Sequence, residues 1–124
     1  MAKPRRESVN IASSAAVSGT FSFQGQRITA VIIPAAWTAA DLTFDVEEPI
    51  DTFVKVVNRA GAAYKLTGLA TSASEYHMIS GDANQGDVII TSHGDGRVVS
   101  TNTGSEADTN QTASRDIIIY LVDV

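Results

Sequence analysis

The chain contains no cysteine. Disulfide bonds, thiolate metal sites and thiol nucleophiles are therefore excluded, so stability must come from packing, hydrogen bonds and assembly. Aromatic residues make up 6% of the 124 residues, with a single tryptophan, Trp37. No apolar run approaches the roughly 20 residues that span a bilayer, and the N-terminus lacks the apolar segment of a secretory signal. The sequence thus predicts neither a membrane partner nor export.

The composition that remains is typical of one folded domain. Hydrophobic residues make up 44% and charged residues 19% of the chain, which is too apolar for disorder. A chain of this length buries somewhat over ~60% of the surface that its unfolded form exposes. We predict a single domain over residues 9–124, preceded by an arm over residues 1–8.

Charge is distributed unevenly between the N-terminus and the body. Lys3, Arg5 and Arg6 occur with no acid among residues 1–6, whereas the other six basic residues oppose all fourteen acidic ones. We predict an extended arm whose three cations dock on an acidic partner, with a solvated terminus that contacts nothing as the alternative. The acidic body and the lack of a basic stripe interleaved with aromatics argue against nucleic acid as a partner.

Apolar and polar residues alternate along most of the chain with the period of two that is typical of strands. Residues 17–23, VSGTFSF, and residues 41–46, DLTFDV, show the alternation best. Further strand-like runs, separated by Gly, Asn, Asp and Ser turns, occupy residues 28–33, 52–57, 63–66, 75–79, 87–91, 97–101 and 116–122. No segment carries a helical stripe. Eight or nine short strands predict an all-β fold, an antiparallel β-sandwich or jelly roll.

The faces of these strands predict the core and one further contact. The predicted core consists of Phe21, Phe23, Ile32, Trp37, Leu42, Phe44, Val54, Val56, Ile117, Ile119 and Leu121. The last strand, DIIIYLV, is apolar on both faces, which an antiparallel strand with one face in water would not normally be. Either the other end of the chain or a second copy covers the extra face, and we predict a homo-oligomer.

Two short segments are candidate sites. Pro34 ends strand pairing, and the alanines around Trp37 let the backbone approach a neighbouring sheet, which predicts a compact corner. Glu47, Glu48 and Asp51 form an acidic cluster that could hold a cation or receive a basic arm, a solvated turn being the alternative.

Catalytic and metal-binding motifs are lacking. His77 and His93 belong to no metal-ligand spacing, and the fingerprints of hydrolases, P-loops and dinucleotide-binding folds do not occur. We predict no cofactor, no metal and no enzymatic activity.

Three blocks of sequence resemble a known family. The stretch IPAAWTAADLTFDV, preceded by SGTFSFQGQRI and followed near the end by NQTASRDIIIYLV, is similar to small virion proteins of tailed bacteriophages. The resemblance implies a non-enzymatic β-sandwich located in the virion, assembled in the host cytoplasm as a capsid decoration or cement protein or as a head-spike or fibre-base component. It further implies docking on the major capsid protein or other virion proteins, and a trimer, since such components sit at threefold positions.

A carbohydrate-binding module is the alternative from another class, because a sandwich with an exposed aromatic can stack a sugar ring. The exposure of Trp37 discriminates between the two functions. A buried Trp37 favours the structural role, and an exposed one favours sugar binding.

Overall fold

The computed structural model describes residues 4–49, 51–79 and 88–124. These residues form strands and no helix, which confirms the predicted all-β class, and with no helix among them none is long or apolar enough to cross a bilayer. The eight strands are β1 (Arg5–Ile11), β2 (Phe21–Ser22), β3 (Gln26–Ile33), β4 (Asp41–Glu47), β5 (Phe53–Lys55), β6 (Glu75–Met78), β7 (Asp95–Thr101) and β8 (Arg115–Asp123).

The strands form two four-stranded antiparallel sheets. The first sheet has the order β1-β8-β3-β6 and the second the order β2-β7-β4-β5. Buried apolar side chains from both sheets form one cluster between them. The predicted antiparallel sandwich is confirmed, while the jelly-roll connection stays a prediction.

The core contains most of the side chains that alternation predicts. Leu42 and Phe44 of β4 are buried, as are the inward residues of β8 and the corner residue Trp37. Val54 is wrong, because it is 43% exposed. It pairs with Val46 and so lies on the inward side of the second sheet, but β5 is an edge strand of three residues where the core no longer covers the side chain. Val56 is only partly buried against the core.

A register shift in β3 explains the other error in the predicted core. Ile32 faces away from the core and is half-buried, whereas its neighbours Val31 and Ile33 are buried. The pairing of β3 with β8 is irregular between Ile28 and Ala30. An extra residue at a bulge exchanges inward and outward positions beyond it, so the simple alternation fails from this point onward.

The predicted N-terminal arm is corrected by β1. Residues 5–8 pair with β8 from Arg5 opposite Leu121 to Ser8 opposite Ile118, so they belong to the sandwich. Val9 and Ile11 on the same strand are buried. Residues 1–3, including Lys3, lie outside the described part.

Several of the predicted strands are shorter than expected, are replaced by isolated bridges or do not form. Of residues 17–23 only β2 and one isolated bridge at Val17 are paired, and residues 63–66 make isolated bridges through Ala63 and Leu66. Residues 88–91 form no strand, although Ile90 accepts a hydrogen bond from the backbone of Ile28. Asp87, where that strand was predicted to begin, lies outside the described residues.

Candidate interaction surfaces

The outward side of the first sheet, which we call the outer face, is apolar and partly exposed. Tyr76 and Met78 of the edge strand β6 are 57% and 59% exposed, and β8 contributes half-buried residues. The apolar members of the outer face are Ala30, Ile32, Tyr76, Met78, Ile118, Tyr120 and Val122. None of them belongs to the buried cluster between the sheets, although Ala30 is itself fully buried.

Strand register arranges these side chains in rows. Ile118 lies between Ser8 and Ile32, and Ile32 in turn lies beside Tyr76. The next row contains Arg6, Tyr120, Ala30 and Met78. With strands ~4.8 Å apart and a rise of ~3.4 Å per residue, the outer face covers roughly 400 Å². Ser8, Arg6 and Arg27 occupy part of this area, and apolar side chains occupy the rest. Contiguous apolar patches on the surface of a monomer commonly mark interaction sites.

Two tyrosines give the outer face a fixed shape. The rings of Tyr76 and Tyr120 approach each other across β3, with centroids 5.5 Å apart and planes inclined by 59°. Ala30, on the strand between them, is fully buried. The two rings thus form one aromatic ridge over β3.

Charged residues stand at both ends of the outer face. Arg27 lies in the row of Val122 and Arg6 in the row of Tyr120. The guanidinium groups of both arginines make no hydrogen bond or ion pair with the residues that the structure describes. At the other end Asp116 accepts a hydrogen bond of 2.9 Å from Asn10 Nδ2.

Arg5, which was predicted to dock on a partner, is used within the chain. Its guanidinium donates to Gln26 Oε1 at 2.9 Å and to the backbone oxygens of Ser22 and Phe23 at 2.6 and 3.1 Å. It also forms an ion pair of 2.6 Å with Glu7. Because Ser22 belongs to β2, Arg5 connects the edge of the first sheet to the second sheet. Of the two arginines of β1, Arg6 is the one that faces outward.

We expect Arg5→Ala to lower the free energy of unfolding by roughly 2 kcal/mol, because bonds from a charged donor to backbone oxygens are lost at a partly exposed site. Arg6→Ala is the matched control and should change it by less than about 0.5 kcal/mol. Urea unfolding of both variants measures the difference. Equal losses would show that Arg5 does not hold the sheets together.

The carboxylates of the acidic cluster also bind groups of the same chain. Glu47 accepts hydrogen bonds from the backbone N–H groups of Asp51 at 2.8 Å and Asp95 at 3.1 Å. Glu48 Oε1 accepts from Ser92 Oγ at 3.2 Å and from the backbone of His93 at 3.4 Å. The cluster therefore orders the turn at residues 92–95. Among the described residues no group of three His, Asp or Glu side chains could hold a metal ion.

The two backbone donors lower the pKa of Glu47 below its ordinary value of 4.5, that of Asp51 contributing most. The stabilisation is therefore present above the unfolded-state pKa and is lost as pH falls through the lower pKa of the folded state. We expect the thermal midpoint of Glu47→Gln to lie below that of the wild type near pH 7 and to converge with it as pH falls through the lower pKa of the folded state.

Thermal scans across this pH range measure the convergence. Asp108→Asn is the control, since Asp108 is exposed and its carboxylate has no partner among the described residues. It should show no comparable pH dependence. A constant difference between Glu47→Gln and the wild type at every pH would contradict the role of the Glu47 charge.

A shallow cavity of about 280 Å³ lies beside the acidic cluster. It is lined by Gly25, Glu48, Thr91, Ser92, His93 and Val124. Its volume falls just below the range of roughly 300–1,000 Å³ that is usual for small-molecule sites. Ser92 Oγ donates to Glu47 O and Glu48 Oε1, and Thr91 Oγ1 donates to Gln26 O. Both hydroxyl groups of the lining are therefore hydrogen-bonded within the chain.

The corner between β3 and β4 is closed around Trp37. Pro34 directly follows the last residue of β3, as predicted. Trp37 is 1% exposed, and its Nε1 donates to Ala40 O at 3.2 Å. The indole therefore fills one end of the sandwich.

Gln111 clamps this corner from the far end of the sequence. Its amide accepts from Thr38 N at 2.8 Å and donates to Thr38 O at 3.1 Å and Ser100 Oγ at 2.9 Å. Arg115 Nε donates to Gln111 Oε1 at 3.2 Å. Gln111 is fully buried, although its neighbours in the sequence are polar.

The blocks that carry the phage resemblance thus meet in space, because Thr38 belongs to the first block and Gln111 and Arg115 to the last. No family model, curated protein or solved structure matches the chain in the comparisons made.

Sequence patterns indicated one part of the outer face and missed another. The alternation in β8 placed Ile118, Tyr120 and Val122 on a second apolar face. Tyr76 and Met78 were missed as members, although their spacing of two in EYHM placed them on one side of a strand. Only the pairing of β6 with β3 joins them to the face.

Proposed function

We propose that this chain is a non-enzymatic structural protein of a tailed-bacteriophage virion, a capsid decoration or cement protein or a head-spike or fibre-base component. It assembles with copies of itself and docks on the major capsid protein or another virion protein. The observation that carries the proposal is the apolar outer face, together with the resemblance of the corner and C-terminal blocks to phage virion proteins. The jelly-roll connection and the trimer are part of what that resemblance implies.

The outer face supports an assembly role because it has the composition of an interface core. Tyrosine, methionine and arginine are enriched in protein interfaces, and Lys and Glu are depleted. The rows of Ile118 and Tyr120 contain aromatic, aliphatic and thioether side chains with Arg6 at the rim. Such a surface is suited to a protein partner.

The burial of Trp37 favours the structural role over the carbohydrate-binding alternative. A sugar-stacking platform needs an exposed ring face, and Trp37 is 1% exposed. We expect the fluorescence of Trp37 to resist quenching by acrylamide in the folded protein and to remain unchanged on addition of glycans. Strong quenching or a glycan-dependent shift would favour the alternative.

Particle composition tests the proposal directly. Purified virions should contain the chain in a fixed ratio to the major capsid protein, and electron microscopy of particles with and without it should differ by a discrete surface or tail density. Absence of the chain from purified particles would overturn the proposal.

A further inference from the structure

We propose that the outer face of the first sheet packs against the same face of a second copy of this chain. The two copies are related by a two-fold axis that lies between their outer faces and runs perpendicular to the strands. The use of this pair in a particle rests on the proposed function. The contact itself is argued from the residues of the face.

The charges of the outer face are arranged for such a pairing. Arg27 lies in the row of Val122. Asp116 precedes Val122 by six residues on β8, which separates the two rows by about 20 Å at the usual rise per residue. The two-fold axis exchanges these rows. Arg27 of each copy then faces the row of Asp116 in the other, on the neighbouring strand, so the contact gains two identical Arg27–Asp116 pairs.

The apolar middle of the face is self-complementary under the same operation. The axis exchanges the row of Ile118 with the row of Tyr120, so these two side chains face each other across the contact. On β6, Tyr76 of one copy faces Met78 of the other. An aromatic ring against a flexible thioether is a favourable contact, and Met adapts its shape to the ring.

The other cation of the outer face meets no like charge in this arrangement. Arg6 lies in the row of Tyr120, so the two-fold axis places it opposite the row of Ser8 in the other copy.

The size of the contact predicts its strength. Two outer faces of roughly 400 Å² each bury roughly 800 Å² together, below the standard size of specific interfaces. We therefore expect a dissociation constant of about 1–100 µM. Dimers should predominate at protein concentrations of about 100 µM, and monomers should predominate well below about 1 µM.

Charge reversal tests the pairing in the full chain. Arg27→Asp places acid opposite acid, and Asp116→Arg places base opposite base, so each variant alone should weaken the dimer at least about tenfold. An equimolar mixture of the two variants should dimerise again, because every contact then pairs Arg with Asp. The double variant Arg27→Asp/Asp116→Arg should also dimerise. Sedimentation velocity measures the masses.

Matched controls separate the pairing from general effects of charge and folding. Arg59→Asp makes the same reversal of charge as Arg27→Asp, but in an exposed turn, and should leave the dimer unchanged. Tyr76→Asp removes part of the aromatic ridge at an exposed position and should abolish the dimer. Circular dichroism and thermal midpoints check that each variant is folded.

Recovery of the dimer in the mixture supports a two-fold contact between identical faces. A monomer at about 100 µM wild type would overturn the inference, as would a dimer that is indifferent to both reversals. A trimer, which the phage resemblance implies, would overturn the two-fold arrangement. None of these outcomes depends on whether virions contain the chain, so the proposed function is tested separately.

Discussion

Phe44→Ala should lower the free energy of unfolding by about 3–5 kcal/mol. The ring of Phe44 is 1% exposed on β4, inside the cluster between the sheets, and its centroid lies 6.1 Å from that of Tyr64. Truncation removes buried apolar area and leaves a cavity that the surrounding strands fill only in part. Urea unfolding with an unchanged m-value measures the loss.

Val54→Ala is the control for this prediction, because alternation alone also placed Val54 in the core. At 43% exposure its truncation should cost less than about 0.5 kcal/mol. A comparable loss for both variants would contradict the difference in burial between the centre and the edge of the second sheet.

Gln111→Met should cost about 3 kcal/mol or more, because a buried polar clamp is replaced by an apolar side chain of similar length. The substitution leaves Thr38 N–H and C=O without their partners, and each unsatisfied buried group costs roughly 1–3 kcal/mol. Ser100 Oγ also loses a donor, and Arg115 Nε loses an acceptor. The corner around Trp37 should therefore loosen before the sandwich unfolds.

Acrylamide quenching of Trp37 across a urea titration tests the clamp locally. In Gln111→Met the quenching should rise at lower urea than the loss of β signal, whereas in the wild type the two transitions should coincide. Asn110→Met is the control, since Asn110 is the exposed neighbour. If the two variants were equally stable, the amide of Gln111 would have no role in holding the corner.

Alternation predicted the sandwich because period two is a local property of each strand. It placed Leu42 and Phe44 correctly, since β4 is regular over its length. It failed at Ile32, because a bulge elsewhere in the strand changes the register without a mark in the apolar pattern. Local patterns carry no record of such an insertion.

The pairing of β1 was not predictable for a different reason. The charged run RRE hides the alternation that continues into Val9 and Ile11. The inward position of Arg5 makes sense only once Ser22 and Phe23 are brought to the end of the first sheet. The burial of Gln111 was equally hidden, because its partner Thr38 lies 73 residues away.

Because β8 lies between β1 and β3, the first sheet forms only after the chain has been synthesised as far as β8. Among the described strands β1 pairs with β8 alone, so the backbone of Arg5 has no strand partner until Leu121 has been translated. Contacts between residues so distant in sequence form late and slow folding. A ribosome that stops before Arg115 releases a product without Ile118, Tyr120 and Val122. Such fragments lack three of the seven apolar members of the outer face, and we expect them not to form the contact proposed for that face.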